Sequence, residues 1–483
     1  MFAVVALLVV LLGPLTPTSA SPANTGVRDL SRFRVPGAFP WGTAFDRSGR
    51  VWVAMPGCDP DTSCPISTPP GKLGLFDPTT ATWDKIVQLP SGYGQPLFVA
   101  LDASGNVWFT MPVTNTIGVF DPDDDAVHQW AVPTRRAGPW DLAFDHSGDL
   151  WFTEHFLNKI GEFDPDGDKF VREIATPASG SNPYGIAIDS SNDVWFTENA
   201  DSVALIGEFT RHGVLKEYKI RNTSTTLARL TPHLITIDHS GNIWWSEGWA
   251  HAIATLNVSE ARPATNDGVT EYPYAPPCSS CESHTSGIAV DARGFVWFDD
   301  SLQNVLGSMP IGGGDFSFYK VPGANAHPHD GLNIDSKGRI WLTEEYANKL
   351  TVAVPSYTGG SAGQSRVVIA TDGLQVVGAH LLSPVTLRCL GSVCSGFVRL
   401  IQTVSSSKTM PDTMTVTTRS TVALASAHYR LAARSGSVAL TLTSIGRRLL
   451  SKAAARLLTH LTLSATVKGV SIATRNVSVT EAK

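Results

Sequence analysis

Histidines and carboxylates stand in the last third of this 483-residue chain in a pattern that could do chemistry. His327-Pro-His-Asp-Gly331 places two imidazoles and a carboxylate side by side, and Glu345 follows shortly after. His284 and His233 lie earlier, each just ahead of an apolar run. Imidazole exchanges protons near neutral pH and ligates metals, and carboxylates hold hard cations. A lone surface histidine is commonly only a solvated residue. Clustering makes His329 with Glu345 the pair to follow.

Residues so far apart need a scaffold that gathers them, and a repeat supplies it. A block of the form Pro-x-Gly-(Ile/Leu)-Ala-x-Asp-x-x-Gly-x-(Val/Ile/Leu)-Trp-Phe-Thr-Glu recurs, with its tryptophan at Trp52, Trp108, Trp151, Trp195, Trp244, Trp297 and Trp341. The spacing of 43 to 56 residues is that of propeller blades with loop insertions. Each unit offers four strand-like runs, in the third unit residues 141–145, 149–154, 159–163 and 170–175. The seventh unit lacks its fourth run, but Leu30-Ser-Arg-Phe-Arg-Val-Pro36 matches Phe316-Ser-Phe-Tyr-Lys-Val-Pro322. The N-terminal segment is therefore expected to close the ring and remove its exposed edges.

The predicted fold is all-β: a seven-bladed β-propeller over 30–355, a linker over 356–365 and a C-terminal β-sandwich-like domain over 366–483. In that last part Cys389 and Cys394 should clip a loop, and residues 446–457 could form a short amphipathic helix. Residues just ahead of each inner strand should face the mouth of the central channel: Trp41, Leu97, Trp140, Tyr184, His233, His284 and His329 in blade order. Half of this rim is aromatic or apolar; the other half carries three histidines beside Asp330 and Glu345. That split suits a ligand with a ring-rich body and a reacting polar end, with Trp41, Trp140, Tyr184, His233 and Asp330 in contact with it. The acid three past the tryptophan (Glu154, Glu198, Glu247, Glu344, and Asp300 in its place) recurs too often to be catalytic and should be a structural hydrogen-bond acceptor.

Composition narrows the setting. The net charge of −6 hides 14 Lys/Arg against 3 Asp/Glu in residues 366–483, so the remainder is strongly acidic. An acidic main domain excludes nucleic acid as its partner. The basic C-terminal part could touch an anionic cell envelope. Residues 1–20 read as a cleavable secretory signal, and no later segment is a transmembrane candidate, so the expected location is extracellular or at the envelope. Six cysteines in three close pairs (Cys58 and Cys64, Cys278 and Cys281, Cys389 and Cys394) fit local disulfides in an oxidising compartment. A monomer is expected.

Leu150-Trp-Phe-Thr-Glu154 with Asn158-Lys-Ile-Gly161, and Tyr184-Gly-Ile-Ala with Val194-Trp-Phe-Thr-Glu198, resemble the streptogramin B (virginiamycin B) lyase family of propellers. The resemblance implies elimination at the ester bond of a cyclic depsipeptide, by a base that takes the α-proton and a divalent metal that acidifies it. It places the base on His329 and the metal carboxylate on Glu345, four past Trp341. His327 stands where the family has Glu, and Asp330 is an added residue. His284 matches the family's sixth-blade histidine only approximately, while the Pro-His motif stands at Pro232-His233 in the fifth unit. Glu345, His327 and His284 are the implied metal ligands. The implied metal is Mg2+, with Mn2+ or Zn2+ allowed by the imidazole substitution. Two other readings stay open: a metal-dependent lactonase, and a non-enzymatic propeller binding a peptide or glycan on its rim.

Overall fold

The computed structural model describes residues 24–358, apart from 61–63, 66, 201–202 and 221–230, and beyond them the backbone of strands between 366 and 481. Residues 24–358 form seven four-stranded antiparallel sheets. Blades 1 to 6 are continuous in sequence: residues 43–88, 99–131, 139–175, 183–219, 232–273 and 285–320. Blade 7 takes three strands from residues 333–358 and its outer strand from Asn24–Arg34. The closing strand is longer than expected. It pairs with Lys349–Thr358 from Arg34↔Lys349 to Asn24↔Thr358, across a bulge between Val27 and Asp29. The propeller therefore begins at residue 24 and its last strand runs on through Pro355.

The repeat motif explains the blade. The second strand of each is sandwiched between neighbouring blades, so Leu150-Trp-Phe-Thr-Glu154 is buried at every position. The outer strand Lys169–Ala175 is largely exposed or half-buried. In six of the seven blades the aspartate six before the tryptophan does two jobs, while in blade 1 Asp46 Oδ2 takes Arg50 Nε instead. Asp145 Oδ1 accepts the backbone N–H groups of Ser147 and Asp149, which forms the hairpin turn, while its Oδ2 accepts from Trp151 Nε1 at 3.3 Å. The same indole-to-aspartate bond recurs at Trp108, Trp195, Trp244, Trp297 and Trp341.

The threonine two past the tryptophan joins neighbouring blades. Thr153 Oγ1 donates to the Tyr184 carbonyl at 2.8 Å, Thr197 Oγ1 to the His233 carbonyl at 2.6 Å, and Thr343 Oγ1 to the Trp41 carbonyl at 2.8 Å. The inner strands approach closely at these points. A Cβ on Gly331 would lie 2.2 Å from the Trp41 carbonyl oxygen, so only glycine fits there.

The acid three past the tryptophan behaves in two ways. Glu344 accepts from Arg32 and Thr351, Asp300 from Tyr274 and Ser283, and Glu247 from Trp245 Nε1, as expected of structural acceptors. Glu154 and Glu198 correct that expectation. Both carboxyls are buried without a well-formed hydrogen bond, and only the Ser181 hydroxyl favours the ionised form of Glu198. Burial, then the neighbouring Glu173 or Glu217, pushes each up to about 8. These side chains keep their proton at neutral pH and donate it to the facing glutamate.

The described strands between 366 and 481 belong to a second unit. Its described strands form one three-stranded sheet and one seven-stranded sheet, the latter with a parallel pairing of Gly373–Val377 to Ile472–Glu481. The expected signal segment, the linker beyond residue 358, the 446–457 helix and the Cys389–Cys394 bridge lie outside the described residues or side chains. Residues 356–358, expected in the linker, instead continue the last strand of blade 7 and pair with residues 24–26. Among the described residues no helix is long and apolar enough to cross a membrane.

Candidate active site

A cavity of about 380 Å³ opens at the channel mouth on the side of blades 3 to 7 and reaches Trp41 and Asp59 of blade 1. Three blade positions line it. The residue at the threonine-linked mouth position supplies Trp41, Tyr184 and His233; the residue before the inner strand supplies Thr231, His284 and His327; and the residue four past the tryptophan supplies His155, Asn199, Ser301 and Glu345. A larger open depression between blades 1 and 2 is lined by hairpin-turn residues such as Asp46, Arg47 and Asp102 and carries no histidine.

Blade 7 departs from the pattern by one residue. Pro328 bridges to Glu344 as Pro183 pairs with Glu198, but His329 and Asp330 then fill the space of one mouth residue before Gly331. The extra residue is absorbed by left-handed backbone at Asp330 (φ 47°), a conformation of roughly 1–3 kcal/mol cost that the surrounding contacts hold in place. His327 (φ 53°) instead shares its left-handed backbone with Asn182 and Gly138 at the same position of blades 4 and 3.

Asp330 is a buried hub behind the residues that line the cavity. Its Oδ2 accepts from Tyr184 Oη at 2.6 Å and Trp41 Nε1 at 3.1 Å, and its Oδ1 accepts from Ser286 Oγ. His233 Nε2 stands 3.2 Å from Oδ1 and His329 Nδ1 3.7 Å from Oδ2. Burial alone would raise Asp330, but the two histidines and the Ser286 hydroxyl outweigh it and hold the carboxyl well below its usual range. Its charge has consequences further down the channel: burial, with Asp330 adding to it, pushes Asp141 up to about 7 and Asp299 well above the carboxylate range.

Glu345 and His327 form a second unit. His327 Nδ1 lies 2.9 Å from Glu345 Oε2, and its ring stacks on Tyr346 at 4.1 Å. Burial raises Glu345, against the pull of His327, and its Oε1 is buried without a hydrogen-bond partner. His329 lies 5.4 Å from His327 between ring centres and meets Trp41 edge-on at 5.0 Å. Burial lowers His329 to about 4 and His284 well below its ordinary value, so both rings are neutral at pH 7.

Sequence reasoning placed most of these residues, with three corrections. Asp330, expected on the rim against the ligand, has a fully buried side chain and does not line the cavity, because its hydroxyl, indole and imidazole partners close over it. Trp140 does not line the cavity: it is buried behind His155 and Tyr184, at 4.8 and 5.3 Å. The mouth residue of blade 6 is Ser286, whose carbonyl takes the Ser246 hydroxyl, and His284 lies two residues earlier. From there His284 packs against His233 and His329, with which it forms a group of three imidazoles whose nitrogens lie within 4.8 Å of one another. The glutamate of the His327–Glu345 pair is outside that group. His155, Asn199 and Ser301 were missed. Their signal was present, since all share with Glu345 the position four past the tryptophan.

Fold and site together define a seven-bladed propeller with a histidine-rich pocket on one half of its channel mouth. The profile of the virginiamycin B lyase family matches residues 87–357. Among solved structures, a streptogramin B lyase superposes with TM-score 0.57 at 22% identity over 71% of this chain and 100% of its own. The virginiamycin B lyase of Staphylococcus aureus does so with TM-score 0.56 at 24% identity, over 68% of this chain and 99% of its own. A catalytically inactive form of that enzyme with quinupristin gives TM-score 0.56 at 23% identity, over the same shares. No curated protein matches the chain in sequence. The chain belongs to the virginiamycin B lyase family.

Proposed function

We propose that this propeller is a secreted lyase that opens the ester link of a cyclic depsipeptide by elimination, with His329 as base and Glu345 with His327 as the seat of a divalent cation. The observation that carries this reading is the meeting, in one cavity, of a buried neutral imidazole and a hydrogen-bonded His–Glu pair. His329 takes the proton from the carbon next to the one bearing the ester oxygen. The released electron pair forms a carbon–carbon double bond, the carbon–oxygen bond breaks, and the carboxylate leaves. Asp330, 3.7 Å from His329 Nδ1, faces the positive charge that the ring then carries.

The donor set fits a divalent cation. Glu345 Oε1 offers a buried, unpaired oxygen and His327 an imidazole beside it. A divalent cation held by these two residues would supply Lewis-acid polarisation of the carbonyl next to the reacting carbon. One carboxylate among imidazoles suits Mn2+ or Zn2+ better than Mg2+, which prefers oxygen ligands throughout. Trp249, Leu302 and Tyr346 leave 37%, 37% and 44% of their surface exposed around the cavity, an apolar collar for a ring-rich ligand. The disulfides Cys58–Cys64 and Cys278–Cys281 support an oxidising compartment. In the same proposal the protein acts as a monomer, with its basic C-terminal part against an anionic envelope.

Product mass tests the reaction. Elimination leaves the mass of streptogramin B unchanged as its ring opens, whereas hydrolysis adds one water. His329→Ala should lower turnover by roughly 10²–10⁴-fold, the usual contribution of a positioned base. An antibiotic that stays intact with Mg2+, Mn2+ and Zn2+ alike would leave the binding-propeller reading in its place.

A further inference from the structure

The wall contributed by blades 3 and 4 has no part in the chemistry above, yet its hydrogen-bonding sense is fixed. We propose that His155 Nε2 and Asn199 Oδ1 are a pair of bare acceptors that recognise donor groups of the bound ligand, namely the backbone N–H groups of a peptide ring. The ligand class rests on the depsipeptide reading; the acceptor character of the wall does not.

The sense of His155 follows from one bond. Its Nδ1 lies 3.2 Å from the Pro183 carbonyl oxygen, which can only accept, so Nδ1 carries the ring proton. A neutral ring then leaves Nε2 as a lone pair. His155 is packed among Trp140, Phe156 and Tyr184 at 4.8–5.3 Å, which holds the ring plane while one edge meets the cavity.

Asn199 is oriented through a longer chain. Its Nδ2 donates to the Pro232 carbonyl at 3.0 Å and to His233 Nδ1 at 3.1 Å. That second bond requires the His233 proton on Nε2, the nitrogen that stands 3.2 Å from the Asp330 carboxylate. The Pro232 carbonyl thus fixes the amide orientation, the amide fixes the His233 tautomer with its Nε2 proton on the Asp330 side, and Asn199 Oδ1 is left as an acceptor. Tyr184, 3.9 Å from His233 and 5.3 Å from His155 between ring centres, has its hydroxyl turned onto Asp330 and links the two acceptors into one wall. Opposite the proton-taking half of the pocket stands a surface that accepts hydrogen bonds. A peptide N–H meets it well, and a ligand presenting only carbonyls there would leave buried acceptors facing each other.

Two measurements on the full chain test this. Nitrogen-15 NMR of the free protein should find His155 as the Nδ1–H tautomer and His233 as Nε2–H; an Nε2–H tautomer at His155 overturns the proposal whatever the ligand turns out to be. Calorimetry with streptogramin B, with chelator present to stop turnover, should show His155→Phe weakening binding on the order of tenfold, the scale of one lost hydrogen bond. His155→Gln, which keeps an acceptor, should bind within a few-fold of wild type. Equal losses in both variants would mean that the ring only packs against Trp140 and Tyr184, and would overturn the proposal. If wild type binds no streptogramin B, the depsipeptide reading falls, and the NMR result still decides the acceptor wall.

Discussion

Arg32 and Glu344, 312 residues apart in sequence, form a two-pronged ion pair that locks the first described strand onto the last blade. The Arg32 Nε–H reaches Glu344 Oε1 at 2.7 Å, and the buried carboxylate also accepts from Thr351. Blades 3, 4 and 5 carry Glu173, Glu217 and Glu271 at the outer-strand position that Arg32 takes in blade 7. The seam of the ring is therefore the one of these four blades where the inward acid has a cation for its partner.

Arg32→Met should strand the Glu344 charge in the protein interior. The expected loss is on the order of 3 kcal/mol, as for other buried pairs with one partner removed. The double variant Arg32→Met/Glu344→Gln should recover a large part of it. Chemical denaturation of the four proteins checks this, and a single variant as stable as wild type would remove the latch.

Stability should fall as pH rises from about 6.5 to 8.5. Glu154, Glu198 and Glu247 are held up at about 8 by burial and a neighbouring glutamate, against a value near 4.5 when unfolded. The folded protein keeps those protons where the unfolded chain has lost them, so their contribution is whole below about 4.5 and is lost as pH climbs through 8. Below about 6.5 the opposite sign enters through His155 and His329, held at about 4 by burial, which must charge on unfolding. Melting temperatures should therefore fall from about pH 5 to 8, less steeply below about 6.5 where the two histidines partly offset the three glutamates, and Glu198→Gln should flatten the fall.

Glu345→Gln and His329→Ala should fail differently. The first should lower metal content after dialysis and be partly rescued by excess Mn2+; the second should keep its metal and stay inactive. Metal analysis alongside turnover separates them, and equal metal content in both variants would move the cation seat away from Glu345.

Asp330→Asn keeps the shape of the hub but removes its charge. The hydrogen bonds from Tyr184, Trp41 and Ser286 to an ion become neutral ones, for a loss of about 2 kcal/mol or more. The carboxyls of Asp141 and Asp299 should then titrate lower, because the Asp330 charge is one cause of their elevation. Carboxyl NMR titration would read this directly.

All four propeller cysteines should resist thiol reagents until reduced, since Cys58–Cys64 and Cys278–Cys281 are bonded. In the second loop Gln303 Nε2 donates to the carbonyls of Cys278, Cys281 and Glu282, so the turn should keep its shape after reduction. Unchanged hydrogen exchange around Gln303 with and without reductant checks that expectation.

The architecture was legible in sequence because it is made of local, repeated chemistry. The fully buried second strand recurs in all seven blades, and the Asp-x-x-Gly turn and the indole that bonds back to its aspartate in six each, all within a dozen residues of one another. Closure was legible for the same reason: an outer-strand pattern was missing at one end and present at the other. His329, Glu345 and His327 stood out because three titratable residues broke the repeat in its last unit. What the repeat could not reveal depends on register and on partners from other blades. One residue inserted before Gly331 turned Asp330 from a rim residue into a buried hub, and only the fold brings Trp41, Tyr184, Ser286 and His233 onto it. Tertiary packing likewise put Trp140 behind the cavity wall and brought His284 against His233 and His329. It also decided that Glu154 and Glu198 hold protons where Glu344 holds a charge, because that difference lies in whether the facing strand supplies an acid or Arg32.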